Sequence, residues 1–163
     1  MSKNNSEEKP QRLYFKSYLK LVRNPIGSNT FRNFYVRTSQ KGEFDALDDG
    51  ENSCAFYVSA ILVIFGKASS MHGTVASTIK DLEKSGWQEV DKPEPGDVLV
   101  WEPQKFGEIW QKHIGFYVGK NRAVSTSWKK KTVVEHDQNF GNDKRKIEHI
   151  FRMKSWDDKP QKS

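Results

Sequence analysis

A single cysteine, Cys54, is the only thiol in 163 residues, so no disulfide closes within the chain and no cysteine-cluster metal site forms. Apolar residues are also scarce. They make up 35% of the chain, and no run approaches the roughly 20 residues that a membrane-spanning helix requires. The first residues lack the apolar stretch of a secretory signal peptide. Together these shortages lead us to expect a cytoplasmic protein in a reducing setting. They also confine the core to few segments, because residues 55–65, 97–101 and 114–118 hold most of the aliphatic runs. Residues 1–11 and 157–163 are polar, contain Lys and Pro, and are too poor in apolar groups to offset the entropy of ordering. One domain over residues 12–156 is expected between two disordered tails, which suits a chain of this length.

Acidic residues are outnumbered, with 21 Asp and Glu against 27 Lys and Arg and a formal charge of +6. That balance favours encounter with anionic partners. Much of the excess sits at residues 129–131 and 144–146, short basic runs that read as solvated turns. None of the familiar nucleic-acid motifs accompanies them, so no specific nucleic-acid partner is expected.

The periodicity divides the chain in two. Phe15, Leu19 and Val22 recur at helical spacing and predict a short helix over 13–22, broken by Pro25 and Gly27. The aromatic segment 31–36 reads as a strand. Residues 54–65 are apolar nearly all round, which predicts a helix buried on most faces. Asn52 or Ser53 can cap it, and Gly66 can supply its left-handed stop. A second helix is expected over 74–85, with Val75, Ile79 and Leu82 inward, Lys80, Asp81, Glu83 and Lys84 toward water, and Gly86 at its end.

The period then becomes two. Pro95, Gly96 and Asp97 form a tight turn that delivers the chain into a strand at 98–101. In the next strand, 113–118, Ile114, Phe116 and Val118 point one way and His113, Gly115 and Tyr117 the other. Residues 119–121 turn the chain into 123–127, and 132–136 and 147–152 read as further strands. Helices followed by an antiparallel meander make the fold class α+β.

Chemistry concentrates on two residues. Cys54 opens the apolar helix, where unpaired N–H groups and the helix dipole stabilise an anion and lower a thiol pKa. It also begins a stripe with Val58 and Ile61, as a small core residue would. Position alone does not decide between the two. Taken alone, His113 reads as a histidine capping a sheet edge, but it can also supply the imidazole that thiol catalysis needs to accept a proton and return one. His72, His136 and His149 read as ordinary surface or edge residues, His136 lying between Glu135 and Asp137. No histidine pair has the spacing of a zinc helix motif, and Asp48 and Asp49 lack the rest of a calcium loop, so no metal or other cofactor is expected.

Three features occur in order: a cysteine opening an apolar helix, a Pro-Gly-Asp turn into an apolar strand, and a His-Ile-Gly-Phe-Tyr-Val-Gly strand entering a hairpin. Over roughly residues 50–128 the chain resembles the NlpC-type cysteine peptidases, and more distantly the CHAP amidases. The resemblance implies a papain-like domain, with N-terminal helices packed on an antiparallel sheet, that hydrolyses amide bonds of peptide or peptidoglycan-like substrates. It implies Cys54 as nucleophile, His113 as general base and Ser125 as the group that orients the imidazole, with His136 the other candidate for that third place. Trp87, Trp101, Trp110 and Trp128 are expected near the cleft as core or rim packing, and residues 103–112 as a lid or specificity loop. Ser53 and Ser125 stand where the family commonly has other polar residues. They leave a non-catalytic papain-like module that binds peptide or glycan as the alternative.

Overall fold

The computed structural model describes residues 9–142 and 144–156. Residues 1–8 and 157–163, most of the expected tails, lie outside the described residues. Among the described residues the chain forms three helices and eight strands. Their order is α1 (Tyr14–Arg23), β1 (Tyr35–Thr38), β2 (Gly42–Asp45), α2 (Cys54–Ile64), α3 (Val75–Lys84), β3 (Trp87–Glu89), β4 (Val98–Phe106), β5 (Ile109–Gly119), β6 (Arg122–Ser127), β7 (Thr132–Asp137) and β8 (Ile147–Met153). Strands β1 and β2 form a hairpin, and the other six form one sheet in the order β3-β8-β4-β5-β6-β7. Every pairing in the sheet is antiparallel. The α+β class is as expected. No helix among the described residues is long and apolar enough to cross a membrane.

Helix α2 organises the rest. It lies against β5 and β6, and Ala55, Tyr57, Val58, Ser59, Ala60, Ile61 and Leu62 are all buried. It ends as the sequence predicts: Gly66 takes φ +65° and the Lys67 N–H donates to the Leu62 carbonyl at 2.8 Å. Its start differs, because neither expected cap is used. The Ser53 hydroxyl donates to the Gly50 carbonyl at 3.1 Å, and the Asn52 side-chain oxygen accepts from Gln111 Nε2 at 3.2 Å. Helix α3 begins with Thr74, whose hydroxyl accepts from the Ser77 N–H. Asp81, expected to face water, is buried instead. Its carboxylate accepts from the Ser69 and Ser70 N–H groups and the Ser85 hydroxyl and lies 2.7 Å from His72 Nε2. His72 is therefore a partner of this loop and not a free surface residue.

The sheet separates two apolar clusters. On the helix side Tyr18, Val22, Tyr57, Val58, Ile61, Leu62, Ile114 and Phe116 pack together, and on the other Leu99, Trp101, Tyr117, Ala123 and Ile150. The alternation expected along residues 114–117 is thus observed. The expected strand at 31–36 is displaced: Phe31 packs in a turn against Phe56 and Tyr57, and pairing starts at Tyr35. Residues 103–112 are not a loop. Strands β4 and β5 continue through them in the register Gln104↔Gln111, Lys105↔Trp110 and Phe106↔Ile109, turning at Gly107. Pro103 and the polar residues around it break the alternation that would have revealed this. Strand β3 is too short, and β2 too polar, to show in the pattern.

The Pro-Gly-Asp turn is pinned from three directions. Gly96 adopts φ +98°, as the second central residue of such a turn requires, and the Asp97 N–H donates to the Glu94 carbonyl at 3.0 Å. The Asp97 carboxylate accepts from the Glu94 N–H at 2.7 Å and from Arg152 Nη2 at 2.7 Å. The Tyr18 hydroxyl donates to the Gly96 carbonyl at 2.7 Å, so α1 is fastened to the turn. A Cβ at Gly96 would lie 3.0 Å from Phe15 and 3.2 Å from Tyr18. Gly96→Ala therefore meets both left-handed strain and crowding, and a loss of about 1–3 kcal/mol is expected in urea unfolding. An unchanged midpoint would show that α1 does not press on the turn.

Candidate active site

Strands β5 and β6 come unusually close at Gly115. A Cβ there would lie 2.6 Å from the Val124 carbonyl oxygen and 2.8 Å from Ser125 Cβ, so only glycine fits. This approach brings Ser125 Oγ to 2.8 Å from His113 Nε2. Ser125 Oγ also lies 2.7 Å from His136 Nε2, and His136 Nδ1 donates to the Asp137 carbonyl at 2.7 Å. Three strands thus contribute one continuous polar chain on a face otherwise occupied by Trp101 and Phe140.

His136 was expected as a surface histidine, and the structure corrects this. The register pairs Ala123 with His136 and Ser125 with Val134, which places His136 diagonally across from Ser125 on the same face. Its half-buried ring stacks on Phe140 with centroids 4.1 Å apart and 18° between planes, and lies 5.6 Å from Trp101. The sequence signal was the alternation along residues 132–136, which becomes informative only once the register is known. Phe140 holds φ +60°, a left-handed conformation costly for a bulky residue, and its ring also reaches His113 at 5.8 Å.

Cys54 is the first residue of α2 and is half-buried beneath the helix-side cluster. Burial pushes its thiol pKa up, against the expected lowering. The Ile114 backbone N–H, the Ala55 and Cys54 N–H groups and the Arg145 guanidinium pull the other way without overcoming it. Cys54 thus meets the chain one residue past His113. Among the described residues no hydrogen bond joins its sulfur to the His113 ring, whereas the His113–Ser125 contact is formed.

His113 is held neutral. Burial lowers its pKa to about 3, and the charges of Arg145 and His136 act in the same direction. Burial lowers His136 as well. Arg145 belongs to the basic run 144–146 that was expected to be solvated, and it is 5% exposed. Its Nε donates to the Glu102 carbonyl at 2.9 Å and its Nη2 to the Gln111 carbonyl at 2.7 Å. Lys144 and Lys146 on either side are exposed, as expected. Gln111 is the joint of this region: its carbonyl holds Arg145 while its side chain holds Asn52, two residues before Cys54. Of the four tryptophans expected near the cleft, Trp87 and Trp101 are buried, and Trp110 and Trp128 are exposed. His149 lies 2.6 Å from Glu89 near the sheet edge.

No protein-family model matches the chain, and no curated protein matches it.

The neutral His113 has a consequence for stability. Its folded pKa lies below the ordinary value near 6.5, so between pH 6.5 and about 3 the unfolded chain binds more protons than the folded one. The stability that His113 contributes is complete above that window and is lost as pH falls through it. From pH 7 to pH 5 the wild type is expected to lose about 1–2 kcal/mol more than His113→Gln in paired urea unfolding curves. Parallel losses in the two proteins would mean that His113 titrates as an ordinary histidine.

Proposed function

We propose that the protein is a papain-like cysteine amidase of the NlpC type, acting on amide bonds of peptide or peptidoglycan-like substrates. Cys54 is the nucleophile, His113 the general base and Ser125 the group that orients the imidazole. The carrying observation is the 2.8 Å contact between His113 Nε2 and Ser125 Oγ, with the start of the Cys54 helix against the adjoining Ile114 N–H. Local backbone design supports it too. Ser53 turns its hydroxyl to Gly50, so among the described residues no side chain caps the first N–H groups of α2, and those of Cys54 and Ala55 act at the Cys54 sulfur, where the oxyanion would form.

The reaction runs through a thioester. The thiol proton passes to His113 as the sulfur bonds the substrate carbonyl carbon, and the negative charge moves to the carbonyl oxygen beside the Cys54 N–H. The His113 proton then goes to the leaving amine as the C–N bond breaks. Water attacks the thioester, gives one proton to His113, and the sulfur departs and takes that proton back, leaving a carboxylic acid and an amine. Neutral resting forms of both groups fit this order, because the proton leaves sulfur only when the new bond forms. The tip of the β4–β5 hairpin, with Ile109 and Trp110 exposed, is a ready rim for a substrate chain.

One observation favours a second reading, a non-catalytic papain-like module binding peptide or glycan in the same groove: the Cys54 thiol is raised and not lowered. The two separate by mass spectrometry of peptide and cell-wall-peptide mixtures incubated with the protein. Cleavage by the wild type, with a loss of at least about a hundredfold in Cys54→Ala and His113→Ala, is expected for the amidase. Cleavage that survives Cys54→Ala at wild-type rates would refute it. Binding without cleavage would establish the module in its place.

A further inference from the structure

The polar chain that begins at His113 continues past Ser125, and its far end determines the direction of every hydrogen bond in it. The Asp137 carbonyl can only accept, so His136 Nδ1, 2.7 Å away, carries a hydrogen and donates it. With His136 neutral, its Nε2 then offers only a lone pair. Ser125 Oγ lies 2.7 Å from that nitrogen and has one hydrogen to give, so the hydroxyl points at His136. What Ser125 presents to His113 is therefore a lone pair, and His113 Nε2, at 2.8 Å, must be the donor. Its one hydrogen is thereby placed on Nε2. Nδ1, which has no hydrogen-bond partner among the described residues, is left bare.

We propose that His136 is a positioning residue which, through Ser125, holds His113 in the tautomer protonated at Nε2, so that Nδ1 is free to take a proton. The inference deepens the amidase reading and rests on it for its chemical consequence. A serine alone cannot perform this task. Its hydroxyl rotates, and with no acceptor behind it the hydrogen can turn toward His113 Nε2 and drive the proton to Nδ1. His136 removes that freedom, and its own rotation is blocked by the Phe140 stack and the Asp137 carbonyl. The Ser125–His136 pair thus supplies the fixed acceptor that a single longer polar side chain would provide alone.

The tautomer can be read without a substrate, from long-range ¹H–¹⁵N correlation spectra of the uniformly labelled full chain near pH 7. The His113 signals are assigned by their loss in His113→Gln. The wild type is expected to show His113 wholly in the Nε2–H form. His136→Phe keeps a ring against Phe140 but removes the acceptor, and the single-tautomer signature is expected to be lost. His136→Gln restores an acceptor oxygen and is expected to retain it, an outcome that a merely structural role for the ring does not produce. Ser125→Ala is expected to lose the signature, and it stands in for His136→Phe if the amide spectrum shows that variant unfolded. A wild-type His113 protonated at Nδ1 would overturn the proposal, as would an unchanged signature in His136→Phe or Ser125→Ala. A protein with the expected signature that cleaves no amide would refute the amidase reading while upholding the relay.

Discussion

An eleven-residue helix with seven buried side chains and almost no polar stripe cannot lie on a surface, and α2 is such a helix. It must be enclosed, and each neighbouring element does part of that work. Strands β5 and β6 lie beneath it, Tyr18 and Val22 of α1 flank it, and Phe31 closes over Tyr57. The Tyr57 hydroxyl, which burial would otherwise make costly, donates to the Val22 carbonyl at 2.6 Å and ties α1 to α2. Enclosure has one chemical by-product. The helix start, with Cys54, is held against the Ile114 N–H of β5, one residue past His113.

Burial acts on both groups of the candidate site, on Cys54 at the helix-side cluster and on His113 beside Trp101 and Phe140 across the sheet. Desolvation disfavours whichever form is charged, so it raises the thiol and lowers the imidazole. Two groups pushed apart in this sense rest as neutral thiol and neutral imidazole, with the proton on sulfur. Hydrogen-bond direction becomes the property that matters, because a neutral imidazole is a base at one nitrogen only. That puts the weight on Ser125 and the strand behind it, and ultimately on the absence of a Cβ at Gly115, which lets β6 come close enough.

Elements whose pattern is local were legible in the sequence. The all-apolar run of α2, its glycine stop, the Pro-Gly-Asp turn and the alternation of Ile114, Phe116 and Tyr117 each follow from neighbouring residues. Periodicity did not reveal the 2.8 Å contact of His113 with Ser125; the resemblance alone led us to expect those two side chains together. What was missed depends on register or on burial from outside the segment. Asp81 looks like a solvent residue on α3 until the loop carrying Ser69, Ser70 and His72 folds over it. Arg145 looks like one charge in a basic run until Glu102 and Gln111 offer it their carbonyls. His136 looks like a surface histidine until the β6–β7 register sets it beside Ser125. Polar residues are misread in this way because their partners, not their own hydropathy, decide whether they can be buried.

Arg145 illustrates how a buried charge can shape a neutral site. Two carbonyls and the Phe106 ring hold its guanidinium. Its charge acts on both Cys54 and His113, favouring negative charge at the first and opposing positive charge at the second. On a thiolate–imidazolium pair these effects would oppose one another. Along the proposed amidase pathway the two effects would separate. As the sulfur bonded carbon, negative charge would pass to the substrate oxygen, while the imidazolium would be relieved by giving its proton to the leaving amine. On the amidase proposal a cation here would favour the step that discharges His113 and disfavour any state in which His113 stays charged. Burial and Arg145 thus act in the same sense on His113, both disfavouring its charged form.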